Sequence, residues 1–531
     1  MSAPSATPPA AGPFIVPPLA RGTSGVDFLG LRQVNLELIS ACFPGINNVT
    51  RFVRPFSVLA WIHWKFSQQL EAAGRSEVGE QELRIFQDKV ELLFTWSHQR
   101  QPSPDVRIPG VRFTAPAPGP GGWTDLSFET WKRDPKNTSL QAPVQYGPAM
   151  KVGSGLGFLE SRGGGINAFT HTGAALAQAL DERLRKTDAY ELVSSLDRAK
   201  ARAADADALL KGWHAARPAA PEAKIFRNAF YQPESIGSLG SLGHRSTMVS
   251  AVLATLHTAR RGLSEEEIRR AMVWQRLPKG RAIEFSAACE AATRRWKILQ
   301  LRQVQRLALE ALLQWFEYCL VDGEQRLGRI HEQLVEAFAD DTRSDGGKAS
   351  CSTVLKRFSR SFASEADYRA KCAQGHADDL LALGKALRES EDLDAEPAQA
   401  AWLLVGLVQW TRWLGEEADQ RADLQRGGVD RISLWHLHES FTRAADRPLV
   451  EWMQDILERW IIGQHLRVAT LRSDGRTQRL RFGFGEEGME FYADGPSVPV
   501  LTPDHLAAAL SLMDNCSLIV KDSNAATYSI P

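Results

Sequence analysis

The chain has 531 residues, 44% hydrophobic and 24% charged, with 63 Lys+Arg balanced by 63 Asp+Glu. At ~100–200 residues per domain this length leads us to expect about three or four domains, each able to bury a core. A net charge of zero excludes a generally polybasic binder, so any nucleic-acid surface has to be local. The cysteines (Cys42, Cys289, Cys319, Cys351, Cys372 and Cys516) are scattered, with no CxxC pair, which fits a reducing cytoplasm and describes no zinc site.

Residues 1–26 are rich in Pro and Ala and lack a basic segment ahead of an apolar core, so they read as a disordered or extended tail and not a signal peptide. No apolar run approaches the ~18 residues of a membrane span, so a cytoplasmic protein without membrane contact is expected. Residues 27–101 form an N-terminal helical domain. Pro55 stands where a helix can start, and Val58, Trp61, Ile62, Phe66 and Leu70 follow on one stripe. Leu83, Phe86, Val90 and Phe94 form the face of a second helix. Residues 102–123 hold too much Pro and Gly for a regular element and read as a linker.

Residues 124–186 centre on "LGFLESRGGGINAFTHTGAALAQAL". Two short runs, Gly157 to Ser161 and Ile166 to Thr170, flank a turn in which Gly163, Gly164 and Gly165 take positive φ without steric cost. Thr170 is placed to cap the following helix, and Gly173 in its first turn lets that helix approach a neighbour. Leu176, Ala177, Leu180 and Leu184 supply its buried stripe. Between Trp131 and Gly165 five basic residues, Lys132, Arg133, Lys136, Lys151 and Arg162, stand against Asp134 and Glu160, a local excess suited to positioning phosphates.

Over residues ~140–185 this pattern resembles the wing of winged-helix DNA-binding proteins of the MarR type. Their "GLIE" strand and "LTxxGxxL" are matched by Gly157-Phe158-Leu159-Glu160, then Phe169-Thr170, Gly173 and Leu176. The resemblance implies a helix before the first wing strand that enters the major groove, and a wing that touches the minor groove or phosphates. The segment where that helix belongs departs from the pattern, because it contains Pro143 and the pair Gly147-Pro148. Proline inside a helix costs about 3 kcal/mol. That helix is therefore either kinked or two short pieces. The alternative use of such a fold is protein–protein packing.

A polar, Ala-rich helical connector occupies 187–224, and a helical middle domain 225–462. Near 290–320, Leu301, Val304, Ala308, Ala311, Leu312, Trp315 and Cys319 keep the helical period. Arg295, Arg302 and Arg306 lie beside that stripe, and a solvated face is expected for them. "SIGSLGSLGHRSTM" reads as a Gly-rich loop with a helix starting at Ser246; without GK[ST] it is not a Walker A motif. His436, His438, Glu439 and His465 have no metal-ligand spacing, so no metal is assigned. No GxSxG or Cys–His signature is present, so no catalytic residue and no cofactor is assigned.

Residues 463–531 read as a second, smaller winged-helix-like module. "QRLRFGFGEEGMEFYA" alternates as strands do, Thr502-Pro503-Asp504 reads as a helix start, and strand, turn and strand follow. Its basic run contains Arg467, Arg472, Arg476, Arg479 and Arg481, of which Arg472, Arg476 and Arg479 join Lys132, Arg133, Lys136, Lys151 and Arg162 as candidate nucleic-acid contacts. The other reading is an edge strand protected by charge.

The expected fold is mainly α: a multidomain helical protein with a winged-helix-like domain and a small α+β winged-helix-like C-terminal module. The expected function is a non-catalytic subunit that binds nucleic acid, double-stranded DNA first. The layout also resembles, more weakly, accessory subunits of bacterial anti-phage defence systems. That resemblance implies partner proteins, encoded nearby, that supply an ATPase or nuclease. The alternative is an assembly scaffold whose winged-helix folds bind proteins.

Overall fold

The structure, a computed structural model, describes residues 20–21, 27–75, 79–103, 106–112, 117–162, 167–321, 323, 325–473 and 477–531. It is mainly helical, with strands of two or three residues. The longer N-terminal helices are α1 (Arg32–Cys42), α2 (Val53–Ala72) and α3 (Glu80–Arg100). A hairpin follows, β1 (Leu159–Ser161) with β2 (Asn167–Phe169), then α4 (His171–Leu184), α5 (Ala203–Trp213) and α6 (Ala220–Phe230). Next come α7 (Ser241–Ala259), β3 (Leu263–Ser264), α8 (Glu265–Trp274) and the 33-residue α9 (Ala287–Cys319). The remaining elements used below are α10 (Leu380–Glu389), α11 (Glu396–Leu414), α12 (Leu434–Arg443), α13 (Leu449–Ile456) and α14 (Gln464–Leu471). The chain ends with β4 (Phe482–Phe484), β5 (Met489–Phe491), α15 (Leu506–Asn515), β6 (Val520–Asp522) and β7 (Thr527–Ser529).

Pro55 stands in the first turn of α2, where its missing N–H has no intrahelical partner to lose. The stripes expected on α2 and α3 are buried, from Val58 to Leu70 and from Leu83 to Phe94. Helix α2 packs on α4, α3 on α5, and α4 on α6. One continuous apolar cluster runs from Leu29 to Tyr528.

At its centre α9 packs against α1, α7, α8, α10 and α11. Neighbours therefore surround it, and the solvated arginine face expected there is corrected. Arg302 and Arg306 are each 2% exposed. Arg302 donates to the Ile432 and Arg431 carbonyls, the second at 3.2 Å. Arg306 pairs with Glu310 at 2.7 Å and donates to Thr502 Oγ1 at 2.5 Å. Buried charge of this kind is costly unless its donors are met; both terminal nitrogens of Arg302 have acceptors, while its Nε is buried without one.

Two helix starts also differ from expectation. Helix α7 begins at Ser241, five residues before Ser246, and Arg245 is buried with its guanidinium donating to the carbonyls of Phe230, Pro44 and Ala229. Thr502 does not cap α15. It faces Arg306 and Gln303, and the helix starts after His505, which takes φ 66°.

The last sheet joins distant parts of the chain. Strand β7 lies between β6 and β3 and is antiparallel to both, with Tyr528 opposite Leu263. Helices α7 and α8 flank β3 in sequence, and α8 packs on α15. Among the described residues no helix is long and apolar enough to cross a membrane.

Candidate nucleic-acid interface

The β1–β2 hairpin is antiparallel, pairing Leu159 with Phe169 and Ser161 with Asn167; the turn residues 163–166 lie outside the described residues. Thr170 caps α4 as its sequence position suggests. The Gly173 N–H donates to its Oγ1 at 3.1 Å, and that hydroxyl donates to the Gly157 carbonyl at 2.8 Å. A Cβ on Gly173 would run into the Phe158 carbonyl, so only glycine lets α4 begin this close to β1. Phe158 is buried against Phe56 and Phe226, which anchors the hairpin base to α2 and α6.

Before the hairpin stand two four-residue helices, Pro135–Thr138 and Gly147–Met150, the second opened by Pro148 near its N-terminus. The chain before β1 is thus in two short pieces. Proline supports a first turn and breaks an interior one.

The basic residues of this region divide by environment. Lys132, Lys136 and Arg162 are exposed. Lys132 takes φ 51° in a turn fixed by the Trp131 indole N–H, which donates to the Asp125 carbonyl at 2.8 Å. Lys151 is half-buried and donates to Asn167 Oδ1, and burial lowers its pKa. Arg133 is 5% exposed and lies over the Phe128 ring at 4.7 Å. It donates to the Thr138 carbonyl at 2.9 Å, and burial lowers its pKa. It closes the turn ahead of the first short helix, and phosphate has no access to it.

The C-terminal basic run is largely tied into the body. Arg472 donates to the Asp27 carbonyl and carboxylate at 2.5 and 3.0 Å. Arg467 pairs with Asp430 at 2.6 Å, and Arg481 with Glu317 at 2.5 Å. Arg479 is half-buried, and Arg476 lies outside the described residues. His465 accepts from the Arg481 N–H at 3.0 Å. Among the described residues no group of three or more His, Cys, Asp or Glu is placed to hold a metal.

A basic strip was missed in the sequence. Thr124–Asp125 pairs with Lys200–Ala201 as a two-stranded ladder. Arg198, Lys200 and Arg202 alternate along it and are exposed, and the Arg202 guanidinium lies 4.4 Å from the centroid of the exposed Trp123 ring. The period of two in "RAKAR" is the strand signal that marked it, hidden inside an Ala-rich stretch that reads as helix. No family model, curated protein or solved structure matches the chain.

Proposed function

We propose that this protein binds nucleic acid, duplex DNA first, without catalysing a reaction, and that partner proteins supply any ATPase or nuclease step. The observation that carries the reading is the β1–β2 hairpin: its base is locked to the core at Thr170 and Gly173, and Arg162 is exposed at its outer end. Lys132, Lys136 and the Arg198–Lys200–Arg202 strip beside Trp123 add exposed charge in the same part of the chain. Broken short helices before the hairpin offer no continuous element for a major groove, so the contacts are to phosphates and depend little on base sequence. The test is binding of duplex DNA by the full chain across a salt series, with Arg162→Glu weakening it.

The scaffold reading is favoured by one observation at the other end. We read α7, β3 and α8 with α15, β6 and β7 as a winged-helix-like arrangement interrupted by the helical middle. In it α15 occupies the place of the groove-reading helix, yet Leu506, Ala508, Ala509, Leu510, Leu512 and Met513 are buried. A helix spent on internal packing cannot also enter a groove, so this module supports the body. A stable complex with a partner protein, formed without DNA affinity at low salt, would favour the scaffold over the first reading.

A further inference from the structure

Helix α12 and the helical segment running from α13 to α14 face each other across a cleft of about 430 Å³. That is within the ~300–1,000 Å³ of small-molecule sites. From α12 it is lined by His436, Ser440 and Arg443, which recur at i, i+4 and i+7 and so share one face. The opposite wall is built where the helix widens into a π-helical stretch, Leu457–Gly463. Such widened turns are concentrated at functional sites, because the extra residue per turn re-aims side chains. Here it brings Arg459 and Trp460, adjacent in sequence, into the same cleft.

The charges in the cleft are not balanced. Arg467 is engaged by Asp430 at 2.6 Å, and the Asp455 carboxylate by Arg447 at 2.6 Å. Arg443 and Arg459 are exposed, and their guanidinium groups have neither ion pair nor hydrogen bond among the described residues. The guanidinium fork matches a phosphate better than any other common anion except a carboxylate, and two open forks at one cleft suit a dianion.

The cleft also has an aromatic wall. The His436 ring lies 5.4 Å from the Trp460 ring, tilted by 43°. Burial and the nearby Arg443 lower the His436 pKa, with Glu439 opposing them. Gly463 completes the wall. It is exposed inside a helical run, where glycine is disfavoured, and no side chain of another element claims the space in front of it. A Cβ there would meet only the Glu458 carbonyl of the same turn, at 3.3 Å.

We propose that this cleft binds a nucleoside phosphomonoester, with its phosphate held by Arg443 and Arg459 and its base against His436. The phosphomonoester is either a free mononucleotide or the 5′-phosphorylated end of a nucleic-acid strand. The site is separate from the hairpin, and the two are tested independently.

The experiment uses the purified full chain and calorimetric titration with AMP, adenosine and inorganic phosphate. A parallel anisotropy titration compares 5′-phosphorylated and 5′-hydroxyl single-stranded oligonucleotides. AMP, or the 5′-phosphorylated strand, is expected to bind at least tenfold more tightly than its unphosphorylated counterpart, and AMP more tightly than phosphate alone. Arg443→Gln and Arg459→Gln should each weaken that binding about tenfold while leaving the melting temperature in place, and Arg162→Glu should not alter AMP binding. Preference for AMP identifies the free nucleotide, and preference for the phosphorylated end alone identifies the strand. Failure of both phosphorylated probes to bind overturns the proposal. So does binding that Arg443→Gln and Arg459→Gln leave unchanged, or phosphate binding as tightly as AMP.

Discussion

Arg54 and Glu222 meet at 3.1 Å with both side chains wholly buried. The Arg54 guanidinium also donates to the Gly212 and Arg217 carbonyls, both at 2.7 Å, so one side chain of α2 fastens the end of α5 and the start of α6. Burial pushes the Arg54 pKa down to about 10, while Glu222 opposes that shift. This pair holds together the helices on which the hairpin base rests.

Breaking it from one side should be severe. Glu222→Gln leaves a buried guanidinium without its counter-charge, and a loss of about 3–5 kcal/mol is expected in urea denaturation. The paired replacement Arg54→Met with Glu222→Leu should lose much less than Glu222→Gln, because no uncompensated charge remains.

His98 sets a pH dependence. Its Nδ1–H donates to the Phe94 carbonyl at 2.7 Å, and its Nε2 accepts from the Ala215 N–H at 3.0 Å, which fixes a neutral tautomer. Burial lowers its pKa to about 4 from an ordinary 6.5. The unfolded chain therefore binds a proton that the folded chain refuses between pH 6.5 and 4. Stability from this group is complete above about pH 6.5 and is lost as pH falls toward 4, by about 3 kcal/mol. NMR of the folded protein at pH 5 should show His98 still neutral, and an imidazolium there would contradict the assignment.

The hairpin anchor can be probed by stability alone. Thr170→Ala removes the cap of α4 and should cost about 1 kcal/mol. Gly173→Ala places a methyl against the Phe158 carbonyl and should cost more than the cap does, whatever the DNA affinity.

Features set by near neighbours in sequence were legible. Thr170 and Gly173 are three residues apart, and the stripe of α3 repeats every three or four, so local spacing carried both. Arg302 and Arg306 were misread because the acceptors that cover them from other elements, the Arg431 and Ile432 carbonyls and Thr502 Oγ1, lie 129, 130 and 196 positions away, while local partners such as Glu310 suit a solvated face equally well. No pattern along α9 distinguishes a solvated arginine from one that meets a distant carbonyl. The Thr502-Pro503-Asp504 signal failed for the same reason, since Thr502 is claimed by Arg306 and Gln303. Strand β3 is two residues long and pairs with β7, so its partner was invisible until the chain was folded.

The buried arginines of α9 predict a further contrast. Arg302→Ala strands the Arg431 carbonyl and leaves the Ile432 carbonyl with Gln305 as its remaining side-chain donor, and should lower stability by about 1–3 kcal/mol, whereas Arg294→Ala, at a half-exposed side chain 3.9 Å from Glu417, should change it by less than about 0.5.

The most direct measurement of nucleic-acid binding is the salt dependence of duplex DNA affinity for the native chain and for Lys132→Glu/Lys136→Glu/Arg162→Glu. These side chains are exposed, so the triple variant should melt where the native protein melts. The account predicts affinity that falls steeply with salt, and a log–log slope shallower by about 2–3 in the variant, roughly one per phosphate contact removed. No binding at low salt, or the same slope in both proteins, would contradict it.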